Sequence, residues 1–259
     1  MMEIVDLIQV LILSIVEGVT EFLPVSSTGH LILVSKILGV MQSEFVKSFE
    51  IIIQFGAIMA VAFMYRKKLL KDLAIWKKLM VSFLPTAVVG FVFYKKIKQL
   101  LLGNEWVTLL ALGTGGVLLI TIERYWKNKE HQGLVKELSM QRAIGIGICQ
   151  SLSVIPGISR AAATIVGGMF AGLSRREAAE YSFLLAIPTM AAATGLDLVK
   201  TSFMFTPNEY FLLAIGFVGS FVSAYLIVGK FVEFIKTNTF TRFGVYRIFL
   251  AVIYGVVVR

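Results

Sequence analysis

Residues 17–30 read EGVTEFLPVSSTGH, and they interrupt an apolar segment that otherwise runs from 4 to 39. Two carboxylates, a proline, a Ser-Ser-Thr turn and a histidine fall inside what would be the middle of a membrane helix. A second apolar segment, 143–172, is broken in the same manner by QSLSVIPGISR at 150–160. Backbone interrupted at membrane depth is tolerated only where protein or water covers it. Both segments are therefore expected to be re-entrant helix-loop-helix hairpins, with two further kinked spanning helices as the alternative.

The rest of the chain supports a membrane setting. Of its 259 residues 57% are hydrophobic and 16% charged, against roughly 25% charged in an ordinary globular domain. Mean hydropathy is +0.82. These values exclude a soluble globule and a disordered chain, and heptads are not sustained. A disulfide-stapled domain is excluded because Cys149 is the only cysteine. A spanning helix needs about 20 mostly apolar residues, and six runs qualify: 48–65, 79–94, 105–122, 181–199, 209–229 and 243–258. The N-terminus has Glu3 and Asp6 where a secretory signal carries basic residues, so no cleaved signal is expected.

The chain repeats itself. A shift of 132 lays Pro24 on Pro156 and Ser27 on Ser159, and SFEIIIQFGAIMAVAF on EYSFLLAIPTMAAATG. Each half reads as one hairpin followed by three spans, and an odd number of spans makes the halves opposite in orientation. The expectation is an all-α integral membrane protein with an inverted-topology repeat, six transmembrane helices and two re-entrant hairpins. It forms a single membrane domain, 1–259, with pseudo-repeats of about 1–130 and 131–259.

The formal charge of +9 resides in the connections. With the loop at 66–78 placed in the cytoplasm, sixteen Lys and Arg lie inside and seven outside, as the positive-inside rule requires. Anchoring to anionic lipid explains this charge, and no nucleic-acid partner is expected. The first hairpin then enters from outside and the second from inside, so their tips can meet.

Ionisable groups in a membrane are costly and mark function by default. Glu17 and Glu21 are four apart, on one helix face. They can hold a divalent metal, share a proton or act as a base. Pro24 ends or kinks the helix. Ser26, Ser27 and Thr28 open the next helix, whose free N–H groups suit an anion, and His30 lies three residues beyond Ser27. In the second tip, Arg160 needs an anion: either phosphate, which its planar fork matches, or Glu17 or Glu21 as an ion pair. Ser159 precedes it, and Thr164 sits one turn on. Nucleophile, histidine, carboxylates and guanidinium together form the apparatus of phosphoryl transfer.

EGVTEFLPVSSTGH and PGISRAAAT closely resemble the two signature motifs of the undecaprenyl pyrophosphate phosphatase family, which confers bacitracin resistance when overproduced. The likeness extends along nearly the whole chain, including FLLAIPTMAAATGLDL at 183–198. The resemblance implies a multi-pass protein of the bacterial inner membrane whose site opens to the periplasm. Such a protein removes the terminal phosphate of undecaprenyl pyrophosphate and so recycles the lipid carrier for cell-wall synthesis. It implies that Glu17 and Glu21 are the acidic pair, Ser27 the catalytic serine and His30 the histidine, with Ser159, Arg160 and Thr164 in the second motif. It also implies dependence on a divalent cation, Mg2+ or Ca2+; Glu17 and Glu21 are expected either to be its metal ligands or to tune His30. The second motif departs from the family pattern at Ile158, Ala161 and Ala162, which leaves fewer secondary phosphate contacts.

The expected mechanism has Arg160, Ser159, Thr164, Ser26 and Thr28 bind the pyrophosphate. Ser27 attacks the terminal phosphorus with His30 as general base or acid, or His30 itself is the nucleophile. The rival is a carrier, such as a flippase returning the monophosphate lipid, which would use Arg160 and not need Ser27; one protein could do both. Other residues are expected to be structural. Arg247 snorkels to the cytoplasmic surface, Trp76, Trp106 and Trp126 sit in the interfacial belt, and His131 is exposed in a loop. Cys149 packs closely as a small residue. Asp197 and Glu209 flank an outer loop without a role. Small residues in GTGGVLL and GFVGSFVSAY suit helix contacts within one chain or, in a homodimer, between two.

Overall fold

The computed structural model describes residues 7–41, 43–93, 105–126, 133–200 and 205–257, which are helical apart from short connections. Glu3, Asp6 and His131, and the basic residues Lys95, Lys96, Lys98, Lys127, Lys129 and Arg259, lie outside them. The side chain of Asp197 does so too.

The first broken segment forms α1 (Leu7–Thr20) and α2 (Ser27–Ile37), and three longer helices follow. These are α3 (Glu44–Met64), α5 (Leu73–Val92) and α6 (Glu105–Trp126), with the short α4 (Arg66–Lys71) between the first two. The second half also has two short helices followed by three longer ones, without a counterpart of α4. It has α7 (Met140–Ser151) and α8 (Arg160–Phe170), then α9 (Arg175–Lys200), α10 (Pro207–Phe234) and α11 (Thr241–Val257). Starts are set by local capping. The Ser43 hydroxyl accepts the Val46 N–H for α3, and the Asp72 carboxylate accepts those of Ala74 and Ile75 for α5. Thr206 and Glu209 form a capping box ahead of α10, with Pro207 in its first turn; this gives Glu209 a role that its sequence position did not suggest.

Four helices, α3, α5, α6 and α10, are long and apolar enough to cross a membrane. The expected spans at 181–199 and 243–258 fall on α9 and α11, whose ends reach past the described side chains. Large apolar side chains face outward along these helices, among them Leu84, Val88, Val117, Leu118, Val218 and Phe91, the last 87% exposed. Water would penalise such a surface, and lipid does not.

Small residues set the packing. A Cβ on Gly18 would meet Ser223 and the backbone of Ala224, so α1 lies flush on α10. Gly56 brings α3 onto Phe217 and Ser220, and Gly147 brings α7 onto Ser82 and Pro85 of α5. Gly116 faces Gly244 where α6 crosses α11, and Gly167 faces Cys149. Both GTGGVLL and GFVGSFVSAY thus pack within one chain, and Cys149 is the close-packed small residue expected of it.

Two expectations are corrected. Arg247 does not snorkel: it is 1% exposed and bonded only to backbone carbonyls, because the glycines of α6 open a slot that admits its guanidinium. Trp126 is buried, its ring edge-on to Phe170 with centroids 4.3 Å apart, so packing rather than the interfacial belt accounts for it. Trp106 is exposed, as a belt residue is, and Trp76 donates to the Leu69 carbonyl at 2.9 Å.

Candidate phosphoryl-transfer site

The two breaks bring their polar residues together. α1 ends at Thr20, and one more helical bond, Glu21 N–H to Glu17 O at 2.9 Å, keeps the two carboxylates on one face. The chain then turns through 21–25 and re-enters a helix at Ser27. The second break runs from the 3-10 turn at Leu152–Val154 through Gly157, whose φ of +90° favours glycine, to α8 at Arg160.

Glu21 joins the tips. Its Oε2 accepts from the Ser27 hydroxyl at 2.6 Å, and its Oε1 accepts from Arg160 Nη2 at 3.2 Å. Arg160 also donates from Nη1 to the Ser182 carbonyl at 3.0 Å and stands 5.7 Å above the Phe22 ring. Its Nε has no hydrogen-bond partner. Glu17 is fully buried, and its oxygens meet no hydrogen-bond partner outside the acidic pair that it forms with Glu21.

The two serines related by the shift of 132 behave differently, and backbone geometry explains why. Ser159 is spent as the N-cap of α8, its hydroxyl accepting the Ala162 N–H at 3.1 Å. In the first tip the cap falls one residue earlier, on Ser26, which accepts from the Gly29 N–H at 3.5 Å. Ser26 adopts φ 69°, the only positive φ of a non-glycine residue among those described. A non-glycine residue in this region stores about 1–3 kcal/mol of strain, and such strain concentrates at functional sites. Moving the cap upstream frees the Ser27 hydroxyl to donate to Glu21.

His30 lies near Ser27 in sequence but is occupied elsewhere. Its Nδ1 faces the Ser26 carbonyl at 2.8 Å, and because a carbonyl only accepts, this nitrogen carries the proton. Its Nε2 meets the Tyr246 hydroxyl at 2.7 Å, with the two rings stacked. Thr164 does not face the tips: its hydroxyl donates to the Arg160 and Ala161 carbonyls and pairs with Ser182 at 2.5 Å, tying α8 to α9. Thr28 is exposed at the first turn of α2.

Sequence reasoning missed Tyr246, Ser182 and Arg247. The last was detectable, since an arginine inside the apolar run 243–258 is as costly as Arg160. Tyr246 and Ser182 carry no signal of their own. As for metals, among the described residues no three His, Cys, Asp or Glu side chains cluster as a metal cage. Two carboxylates are present, Glu17, whose oxygens meet no partner outside the acidic pair, and Glu21.

Comparison with known proteins bears on this arrangement. The family model described as bacitracin resistance protein BacA matches residues 10–253. The chain is similar to an undecaprenyl-diphosphatase of Aquifex aeolicus, 48% identical over 247 residues, covering 95% of this chain and 96% of that protein. It is similarly related to the undecaprenyl-diphosphatases of Persephonella marina, at 47% identity, and Methanococcus aeolicus, at 43%, each covering 96% of this chain and 97% of the relative.

Proposed function

The chain belongs to the BacA bacitracin resistance family, and from that membership we infer that it is an undecaprenyl-diphosphatase with its active site where the two helix breaks meet. It is a multi-pass membrane protein and a hydrolase. Its substrate is undecaprenyl pyrophosphate, which it cuts to undecaprenyl phosphate and inorganic phosphate.

The observation that carries the site is the chain Ser27–Glu21–Arg160, a hydroxyl bonded to a carboxylate that is bonded to a guanidinium. Ser27 Oγ attacks the terminal phosphorus while Glu21 takes its proton. The bond from that phosphorus to the bridging oxygen breaks, and undecaprenyl phosphate leaves. Water then hydrolyses the phosphoserine to inorganic phosphate. Arg160 holds the phosphate oxygens, and the strained turn at Ser26 presents Ser27. Assigning the base to Glu21 follows from the hydrogen bonds of His30, both of whose nitrogens engage other partners. His30 supports the reaction by holding the Ser26 carbonyl.

A divalent cation fits here as a partner of substrate. Mg2+ is commonly held by one or two carboxylates plus substrate phosphates, and the oxygens of Glu17, with those of Glu21, supply the protein's share. Bound there, Mg2+ or Ca2+ would neutralise charge on the pyrophosphate.

The inverted repeat draws support from packing. α1 packs on α10 and α7 on α5; α3 packs on α10 and α9 on α5; α6 pairs with α11. Exchanging the halves maps each of these pairs onto another or onto itself, as a two-fold relation between opposed repeats requires. With the basic loops inside, both hairpins are re-entrant and the site opens to the periplasmic side of the bacterial inner membrane.

The test is phosphate release from undecaprenyl pyrophosphate by the purified protein in detergent, with Ser27→Ala and Arg160→Ala alongside. Activity that collapses in both variants supports this reading. A folded but inactive parent, with and without added Mg2+ or Ca2+, overturns it and favours a carrier.

A further inference from the structure

The guanidinium of Arg247, on α11, makes four hydrogen bonds, and all four acceptors are backbone carbonyls. Nε donates to Leu112 at 3.3 Å and Nη2 to Ala111 at 3.0 Å, both on α6. Nη1 donates to Pro24 at 3.4 Å, and Nη2 also to Gly157 at 3.0 Å. Pro24 and Gly157 belong to different tips, and each stands three residues before a group at the centre of the site, Ser27 or Arg160. The slot is built for the fork: a Cβ on Gly115 would lie 2.8 Å from Arg247 Cζ, and one on Gly116 would lie 3.1 Å from Arg247 Cβ.

We propose that Arg247 is a positioning residue, a backbone clip that sets the distance between Ser27 on one tip and Arg160 on the other. This inference rests on the phosphatase reading of the site. The side-chain bond from Arg160 to Glu21 also joins the tips, but Arg160 must give part of its bonding to phosphate during turnover. A tie made to carbonyls is unaffected by that exchange. The planar fork matters because one nitrogen plane serves both tips and α6 at once. A lysine ammonium at this depth is a point donor that cannot span the same set.

The experiment measures phosphate release by the purified full-length protein carrying Arg247→Lys, Arg247→Met or Gly115→Ala, the last of which crowds the fork without removing charge. A misplacement of about 1 Å costs on the order of a hundredfold, so kcat is expected to fall by about tenfold or more, with KM changing less. In an Arg160→Lys background, which keeps a cation for residual turnover but loses the fork, the further loss from Arg247→Lys is expected to shrink to under about threefold, because alignment with the Arg160 fork no longer matters. Equal losses in both backgrounds overturn the proposal, as does near-parental kcat in Arg247→Lys and Arg247→Met. A second readout is independent of activity. Spin labels at Thr28 and Ile158, in a Cys149→Ser background, report the separation of the tips, and Arg247→Met is expected to broaden it. An unchanged distribution also overturns the proposal. Should Arg247→Met fail to fold, Arg247→Lys carries both measurements. A parent that releases no phosphate removes the phosphatase reading, while the label distance still decides the clip.

Discussion

Glu21 accepts from Ser27 with one oxygen and from Arg160 with the other, so neutralising it removes a base and an ion-pair partner while keeping nearly the same shape. Glu21→Gln is expected to lower kcat by about 10²–10⁴, the usual worth of a positioned base, and also to lower the unfolding temperature, because it leaves the buried Arg160 guanidinium without its carboxylate. His30→Asn offers the contrast, since an amide N–H can still donate to the Ser26 carbonyl that Nδ1 now serves. Its kcat is expected to stay within about tenfold of the parent, below the range of a general base. A loss in His30→Asn as deep as that of Glu21→Gln would move the base to His30. The carboxylates, Ser27 and Arg160 were legible because charged and hydroxyl groups in an apolar run are costly. The different hydrogen-bond partners of Glu21 and His30 were not, because they depend on the left-handed turn at Ser26, and no residue type there announces it.

At the level of elements, the breaks work because the backbone can turn where helices would otherwise continue. Gly157 is the sharpest case: with φ +90°, a Cβ there would approach Ala111 Cβ and Thr108 Cα to 2.9 Å. Gly157→Ala is expected to destabilise the protein by about 1–3 kcal/mol and to reduce activity, because Arg160 follows three residues on. Gly145, inside α7, meets nothing within 4 Å. Gly145→Ala is expected to be neutral or to stabilise by up to about 1 kcal/mol, since alanine loses less freedom in a helix. Thermal unfolding of the two variants in one detergent checks the difference in sign. Helix positions were readable from hydropathy, proline and caps. The function of Thr164 was not, since a threonine one turn past Arg160 serves equally to bond phosphate or its own helix, and Ser182 decides between them.

Across the whole molecule, the order of elements could be read from the sequence, but the partners could not. That α1 lies on α10, far along the chain, follows from Gly18 and Ser220 meeting, and a glycine in an apolar run does not say which helix it will meet. A second tie across the halves is Glu123 near the end of α6, which is 3% exposed. It accepts from Arg175 Nε at 3.0 Å and Nη2 at 2.7 Å, and from the Phe240 N–H at 3.0 Å. It thereby joins α6 to α9 and to the turn before α11. The bond to Glu123 raises the Arg175 pKa above its usual value, so the guanidinium stays charged across the physiological pH range. Removing the cation alone strands a buried carboxylate, so Arg175→Ala is expected to cost about 2 kcal/mol, less than a fully buried pair because the arginine is partly exposed. Neutralising the stranded group should recover most of that loss, because the penalty arises from the uncompensated charge rather than from the lost contact. Thermal unfolding of Arg175→Ala against Arg175→Ala/Glu123→Gln measures it. A double variant no more stable than the single one would show that the contact itself, and not the buried charge, holds these three elements together.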